Sequence, residues 1–187
     1  MLLVVIYMTY DLHGRWDYGN KWSTDGCVKG DCLRHHTSRT KTELALVMAT
    51  KAGVPANKII VGMPLYGRSF KMTSPRCTGQ MCTYVGKESA AAPGRCTGTR
   101  GYISNFEICE LIASKNVQQL KTAEGDEIMV YDGIEYVGYM TKQKYDERSS
   151  WIKGLNFGGT SDWTIDLDGD YDIGSGPGGG AGVSTVL

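Results

Sequence analysis

Two short apolar runs rich in β-branched residues bracket a segment with helical start and stop signals, and that order leaves few folds open. The first run, Leu2-Leu-Val-Val-Ile-Tyr7, continues into Met8-Thr-Tyr-Asp11; the second, Ile59-Ile-Val-Gly-Met-Pro-Leu65, follows Lys58. Between them Thr40-Lys-Thr-Glu43 has the pattern of a capping box. Leu44, Val47 and Met48 then fall on one helical face, Gly53 stands where a helix ends, and Pro55 follows. Apolar strand, helix, apolar strand is the βαβ unit of a parallel sheet. We therefore expect strands over residues 2–10 and 58–65, a helix from residue 40, and a long loop over 12–39. Loops of that length in compact domains are usually functional.

Residues 69–138 have another character. They carry four of the six cysteines (Cys77, Cys82, Cys96 and Cys109), and the spacing predicts a helix over 102–114 opened by Ser104 and Glu107. Ile128-Met-Val-Tyr-Asp-Gly-Ile-Glu-Tyr-Val137 reads as a hairpin turning at Asp132-Gly133. A hairpin and clustered cysteines inside a βα alternation mark an inserted α+β unit. The helical pattern returns over 141–153, and a third strand ends at Trp163. From Asp172 the chain is glycine-rich, as in a flexible tail.

Composition excludes some partners. Lys and Arg total 20, as do Asp and Glu, so the net charge is zero; neither a nucleic-acid binder held by a general positive field nor a polybasic membrane anchor fits. The opening apolar run is far short of a membrane span and lacks the marks of a signal peptide. An even number of cysteines in loop-like sequence favours disulfides and an extracellular setting, with 15 pairings possible. Cys27–Cys32 is the favoured pair. The competing reading gives Cys27, Cys32, His35 and His36 to zinc, with poor spacing. Asp166-Leu-Asp-Gly-Asp-Tyr-Asp172 fails the calcium-loop pattern, because Tyr171 stands at its sixth position, and reads as a solvated exit loop.

Three strand ends hold the chemistry: Met8, Tyr10 and Asp11; Tyr66 and Arg68; Asp162 and Trp163. In parallel β/α architectures functional residues gather at the carboxyl ends of strands. A Trp face with Tyr, Asp and Arg around it suits a sugar: the ring stacks, and the polar groups take the hydroxyls and amides. The bland alternative makes Tyr10 and Trp163 core aromatics and Asp11–Arg68 a structural ion pair.

Met8-Thr-Tyr-Asp11, Gly62-Met-Pro-Leu-Tyr-Gly-Arg-Ser-Phe70 and Phe157-Gly-Gly-Thr-Ser-Asp-Trp163, in that order, closely resemble strands six, seven and eight of glycoside hydrolase family 18 chitinases. Tyr7-Met-Thr-Tyr-Asp-Leu-His-Gly-Arg-Trp-Asp-Tyr-Gly-Asn20, with the Cys27/Cys32 loop, resembles the fungal killer-toxin-like subgroup. The resemblance covers about residues 1–170. It implies an α/β fold: the last three strands of a (β/α)8 TIM barrel, in residues 1–68 and 139–171, with a disulfide-bearing α+β insertion over 69–138 and a tail over 172–187. The family signature D-x-x-D-x-D-x-E is absent. A complete barrel takes about 250 residues, so the chain resembles the C-terminal part of a chitinase, from a truncated gene model, a split gene or a degenerate copy.

The resemblance also implies roles. The family hydrolyses β-1,4-linked N-acetylglucosamine of chitin with retention, and the substrate's own acetamido oxygen attacks. Tyr10 would orient that acetamido group. Asp11 would bond the sugar and raise the pKa of the missing acid by like charge. Tyr66 and Arg68 would bind a neighbouring sugar, Trp163 would floor the ring with Asp162 beside it, and Met8 would pack beneath. Trp16 and Trp22 would stack on further sugars or pack within their loop. No metal or organic cofactor is implied. The implied partners are chitin or chito-oligosaccharides and the missing N-terminal half of the barrel, in a secreted parent. Without the acid, the expectation is no turnover by this chain alone; the alternative is a non-catalytic, chitin-binding chitinase-like protein.

Overall fold

The structure is a computed structural model that describes residues 4–114 and 117–169. In chain order its elements are β1 (Val5–Tyr7), α1 (Arg39–Lys51), β2 (Ile59–Pro64), β3 (Tyr66–Lys71), β4 (Ile103–Ser104), α2 (Asn105–Ser114), β5 (Gln118–Lys121), β6 (Glu127–Tyr131), β7 (Glu135–Tyr139), α3 (Lys142–Gly154) and β8 (Gly159–Trp163). The glycine-rich tail lies outside the described residues. No helix among them is long and apolar enough to cross a membrane.

The three expected strands form one parallel sheet in the order β1-β2-β8, with Val5 opposite Ile59 and Met63 opposite Asp162. Side chains alternate along a strand, so Ile59, Val61 and Met63 share one face. They bury it against Leu46 of α1 and Ile152 of α3, with Met140 completing the cluster. On the other face Val4, Ile6 and Met8 are exposed.

The remaining strands form an antiparallel sheet in the order β4-β3-β7-β6-β5. Both of its faces are covered. Met129, Tyr131, Val137 and Tyr139 pack on Ile108 and Cys109 of α2. Ile128, Val130 and Tyr136 pack on Leu33, Phe70, Met72 and Tyr84. Two-sided burial accounts for the unbroken apolar run at 128–131. The hairpin turns as expected: Asp132 and Gly133 both have positive φ, 50° and 71°, and Ile134 N–H closes the turn on Tyr131 O at 3.3 Å. Glycine and aspartate tolerate that conformation better than other residues.

Helix starts were legible at α2, not at α1. Ser104 and Glu107 form the expected capping box: Glu107 N donates to Ser104 Oγ at 3.2 Å, and Ser104 N donates to Glu107 Oε2 at 3.1 Å. The cap of α1 is Ser38, whose Oγ accepts from Lys41 N, two residues before the expected Thr40. Its buried residues are Thr42 and Leu46; Leu44, Val47 and Met48 face outward. The buried stripe of α1 is narrow, with Leu46 and Ala49 reaching the core cluster, and the more apolar face is left outside.

Two disulfides close, Cys27–Cys32 and Cys77–Cys82. The expectation of disulfides at all six cysteines fails for Cys96 and Cys109, which stay thiols. Cys109 is packed inside the α2 cluster, whereas Cys96 lies exposed on a turn that Glu107 holds through the Cys96 and Thr97 amides. The loop over 12–38 is laid against the second disulfide loop: Leu33 N donates to Cys82 O at 2.6 Å and Tyr84 N to Asp31 O at 2.8 Å.

Candidate functional site

The two sheets meet at Leu65, between β2 and β3. Its N–H donates to Trp163 O at 2.7 Å, and its carbonyl accepts from Asn105 N at 3.1 Å. That junction brings the first residues of β3 beside the carboxyl ends of β1 and β8. Asp11, at the end of the first strand segment, has φ 59°. Its carboxylate receives Tyr66 Oη at 2.7 Å, Arg68 Nε at 2.8 Å and Arg68 Nη2 at 2.6 Å. The Arg68 contact is a two-pronged fork, the strongest geometry for this pair.

Arg68 is also packed among rings. Its guanidinium carbon lies 4.8 Å from the centre of the Trp16 ring, 5.2 Å from Tyr66 and 5.8 Å from Tyr102. Behind them His36 is sealed from solvent, its ring 5.2 Å from Tyr66 and its Nδ1 3.5 Å from Asp11 Oδ1.

The electrostatics follow from this packing. Burial works against a charged Asp11, but the bonds from His36, Arg68 and Tyr66 and the Arg68 charge outweigh it and hold the carboxyl well below the usual range. Burial, then the bond to Asp11, pushes the Tyr66 hydroxyl up. Burial, then the Asp11 charge, does the same to Tyr10. Burial pushes His36 down to about 4. At ordinary pH the site therefore presents an ionised, fully engaged carboxylate and neutral rings. Asp11 is an acceptor and an anchor, not a proton donor.

Asp11, Tyr66, Arg68 and Trp163 line one concavity of about 380 Å³, together with Arg15, Arg100, Tyr102 and Asp166. Trp163 is 57% exposed at its rim. Tyr10 is not in the wall. It is 7% exposed, edge-on to Tyr66 at 6.1 Å, and lies over Gly62, where an added Cβ would meet its ring at 2.8 Å. Met8 is 63% exposed and sits beside Val4 and Ile6 on the open face of β1. Asp162 is not brought to the others: it accepts from Tyr145 Oη of α3 at 2.6 Å, on the helix side of the sheet. Trp16 packs on Arg68, and Trp22 is exposed beside Lys21.

Sequence reasoning missed Tyr102, Arg15 and Arg100 and gave His36 only to zinc. Closure of Cys27–Cys32 removes both sulfurs from that ligand set, and His35 lies between the Glu127 and Tyr139 carbonyls. Asp166, read as part of a solvated loop, lines the concavity. No local pattern marks these residues; the folding of β3 across the strand ends assembles them.

The profile of the family "Glycosyl hydrolases family 18" matches residues 3–168. The probable chitinase LysM11 of Penicillium expansum is 48% identical over 176 residues, which cover 87% of this chain and 16% of that protein. The killer toxin subunits alpha/beta of Kluyveromyces lactis are 35% identical over 161 residues, 85% of this chain and 13% of that protein. Among solved structures, human YKL-39, described as a pseudo-chitinase with retained chitooligosaccharide binding, superposes with a TM-score of 0.68 at 25% identity, over 89% of this chain and 44% of that one. The chain thus spans less than a fifth of these two relatives' length and under half of the solved one. A family match running from the first strand to the loop after the last means that the chain belongs to glycosyl hydrolase family 18.

Proposed function

We propose that this chain supplies the aromatic floor and the positioning side chains of a chito-oligosaccharide cleft, as part of a chitinase-like glycoside hydrolase, and that it does not hydrolyse chitin by itself. The observation that carries the reading is the meeting of Trp163, Asp11, Tyr66 and Arg68 in one concavity at the ends of neighbouring parallel strands. Trp163 offers a flat, half-exposed face for a pyranose ring; Asp11 holds Arg68 as a fixed donor through its remaining N–H groups and Tyr66 as a fixed acceptor, its own proton being given to Asp11. In the family reaction the substrate's acetamido oxygen attacks and an acid protonates the leaving oxygen. The family motif assigns Tyr10 the role of orienting the acetamido, although its ring lies behind Tyr66 and outside the cleft wall. The D-x-x-D-x-D-x-E acid is absent from the sequence. The named relatives and the pseudo-chitinase neighbour support a carbohydrate ligand, and that neighbour favours the second reading, a protein that binds and does not cut.

In the same reading residues 1–68 and 139–171 are the last three strands of a (β/α)8 barrel, 69–138 is the insertion, and the partner is the N-terminal half of that barrel. The outer edge of β1, unpaired among the described residues, and the exposed Val4, Ile6 and Met8 support it. The two disulfides support an extracellular setting.

Calorimetric titration of the 187-residue chain with tetra-N-acetylchitotetraose tests the floor. Trp163→Ala should weaken binding by about 1–3 kcal/mol, the usual effect of losing one large buried face. Equal binding by the variant, or none by the parent, sinks the reading. On a fluorogenic chitobioside we expect no turnover; turnover surviving purification from contaminating enzyme would overturn the non-catalytic part.

A further inference from the structure

We propose that His36 is the positioning residue of the cleft: it holds Asp11 in its left-handed backbone conformation, with the carboxylate turned onto Tyr66 and Arg68. Aspartate tolerates φ near 59° better than most residues, yet the conformation still costs energy that neighbouring contacts must offset. Here those contacts come from the loop segment 35–37. His36 Nδ1 lies 3.4 Å from Asp11 N and 3.5 Å from Asp11 Oδ1, and the His36 carbonyl accepts from Leu12 N at 3.1 Å. In one tautomer Nδ1 accepts from the Asp11 amide; in the other it donates to the carboxylate. Either way its partner is Asp11.

The ring is itself bolted down. It is fully buried between Tyr66 and His35. His35 Nε2 donates to Glu127 O at 3.0 Å and Tyr139 O at 2.9 Å, while its Nδ1 accepts from Thr37 N at 3.2 Å. Gly138 makes room for that ring: a Cβ there would meet it at 2.9 Å. Arg148 donates to Thr37 O at 2.5 Å. His36 thereby ties Asp11, which follows β1, to the antiparallel hairpin.

The far end of the ring argues the same way. His36 Nε2 is buried with no hydrogen-bond partner among the described residues. A phenyl ring of similar size would escape that penalty. What the imidazole gains in return is at Nδ1.

Two variants of the full chain separate positioning from packing. His36→Asn keeps a polar amide where Nδ1 stands; His36→Phe keeps the ring and removes the polar atom. The first readout is the Arg68 Nε–H proton in NMR spectra, slow to exchange while Asp11 holds it. It should stay protected in the Asn variant and exchange at least about tenfold faster in the Phe variant, the effect of loosening one bond to a charged group. This readout needs no sugar, so it stands or falls apart from the carbohydrate reading. The second rests on that reading: the Phe variant should bind tetra-N-acetylchitotetraose about tenfold more weakly, and the Asn variant within about threefold of the parent. A Phe variant with protection and affinity intact overturns the inference, as does loss of fold in both variants, which would make His36 a packing residue. If the parent binds no sugar while the Arg68 signal behaves as expected, the positioning role holds and the carbohydrate reading fails.

Discussion

Every residue of β6 and β7 is buried, whereas β1 and β8 contain no buried residue. β1 and β6 are both apolar in sequence, so composition alone does not set the two sheets apart; what covers them does. The antiparallel sheet is enclosed by α2 on one face and by the disulfide-ribbed loops on the other. The parallel sheet has helices on one side and nothing among the described residues over Val4, Ile6 and Met8. Parallel strands are apolar because they are normally covered on both faces. Here only the helix-facing half of that composition is in use, so the two sheets should respond unequally to the same kind of damage.

The largest expected difference is in core truncation. Tyr136→Ala or Met129→Ala, each side chain almost wholly inaccessible, should lower unfolding free energy by about 3–5 kcal/mol in denaturant titration. Ile6→Ala should change it by no more than about 0.5 kcal/mol, as at an exposed site. Equal effects would break the comparison.

Next comes the seam between the sheets. His36 is pushed by burial from its ordinary value down to about 4. Between those values the unfolded chain binds the proton and the folded one does not. Stability therefore rises with pH across the window: it is complete above the ordinary histidine value and lost as pH falls toward 4. The shift corresponds to about 3 kcal/mol. His35, also lowered by burial, acts in the same direction. Unfolding titrations at pH 7, 5.5 and 4 should show this slope, and His36→Asn should flatten it; an unchanged slope would mean that His36 is not the titrating group.

A smaller effect is expected at the α2 cap. Ser104→Ala removes one half of the capping box and should cost about 1 kcal/mol, read as a shift in the denaturation midpoint. The smallest concerns the open face. Ile6→Ser with Met8→Ser should leave unfolding free energy almost unchanged yet raise the concentration at which the chain aggregates, measured by light scattering, because exposed apolar edges associate. No gain in solubility would mean that this face is not the sticky one.

Much of this was legible in the sequence. The three strand ends stood out because their residues are contiguous, and the capping box and Asp132-Gly133 turn because their signals are local. Asp162 was misjudged alongside Trp163, although strand alternation alone sends neighbours to opposite faces. Tyr102 and His36 were illegible for a different reason: they reach the site from the segment before β4 and from a loop, across 36 and 30 positions from Tyr66, and only the tertiary fold brings them there. At α1 the apolar stripe was real but faced outward, because a sequence does not say which side will be covered.

The two bridges each join cysteines five positions apart. Thiols that close meet often even in an unfolded chain, since the entropy of closing a loop grows with its length. Oxidation should therefore seal Cys27–Cys32 and Cys77–Cys82 before long-range contacts exist. Mispairing, the usual hazard of a six-cysteine chain, is limited here by spacing alone, before any tertiary structure has formed.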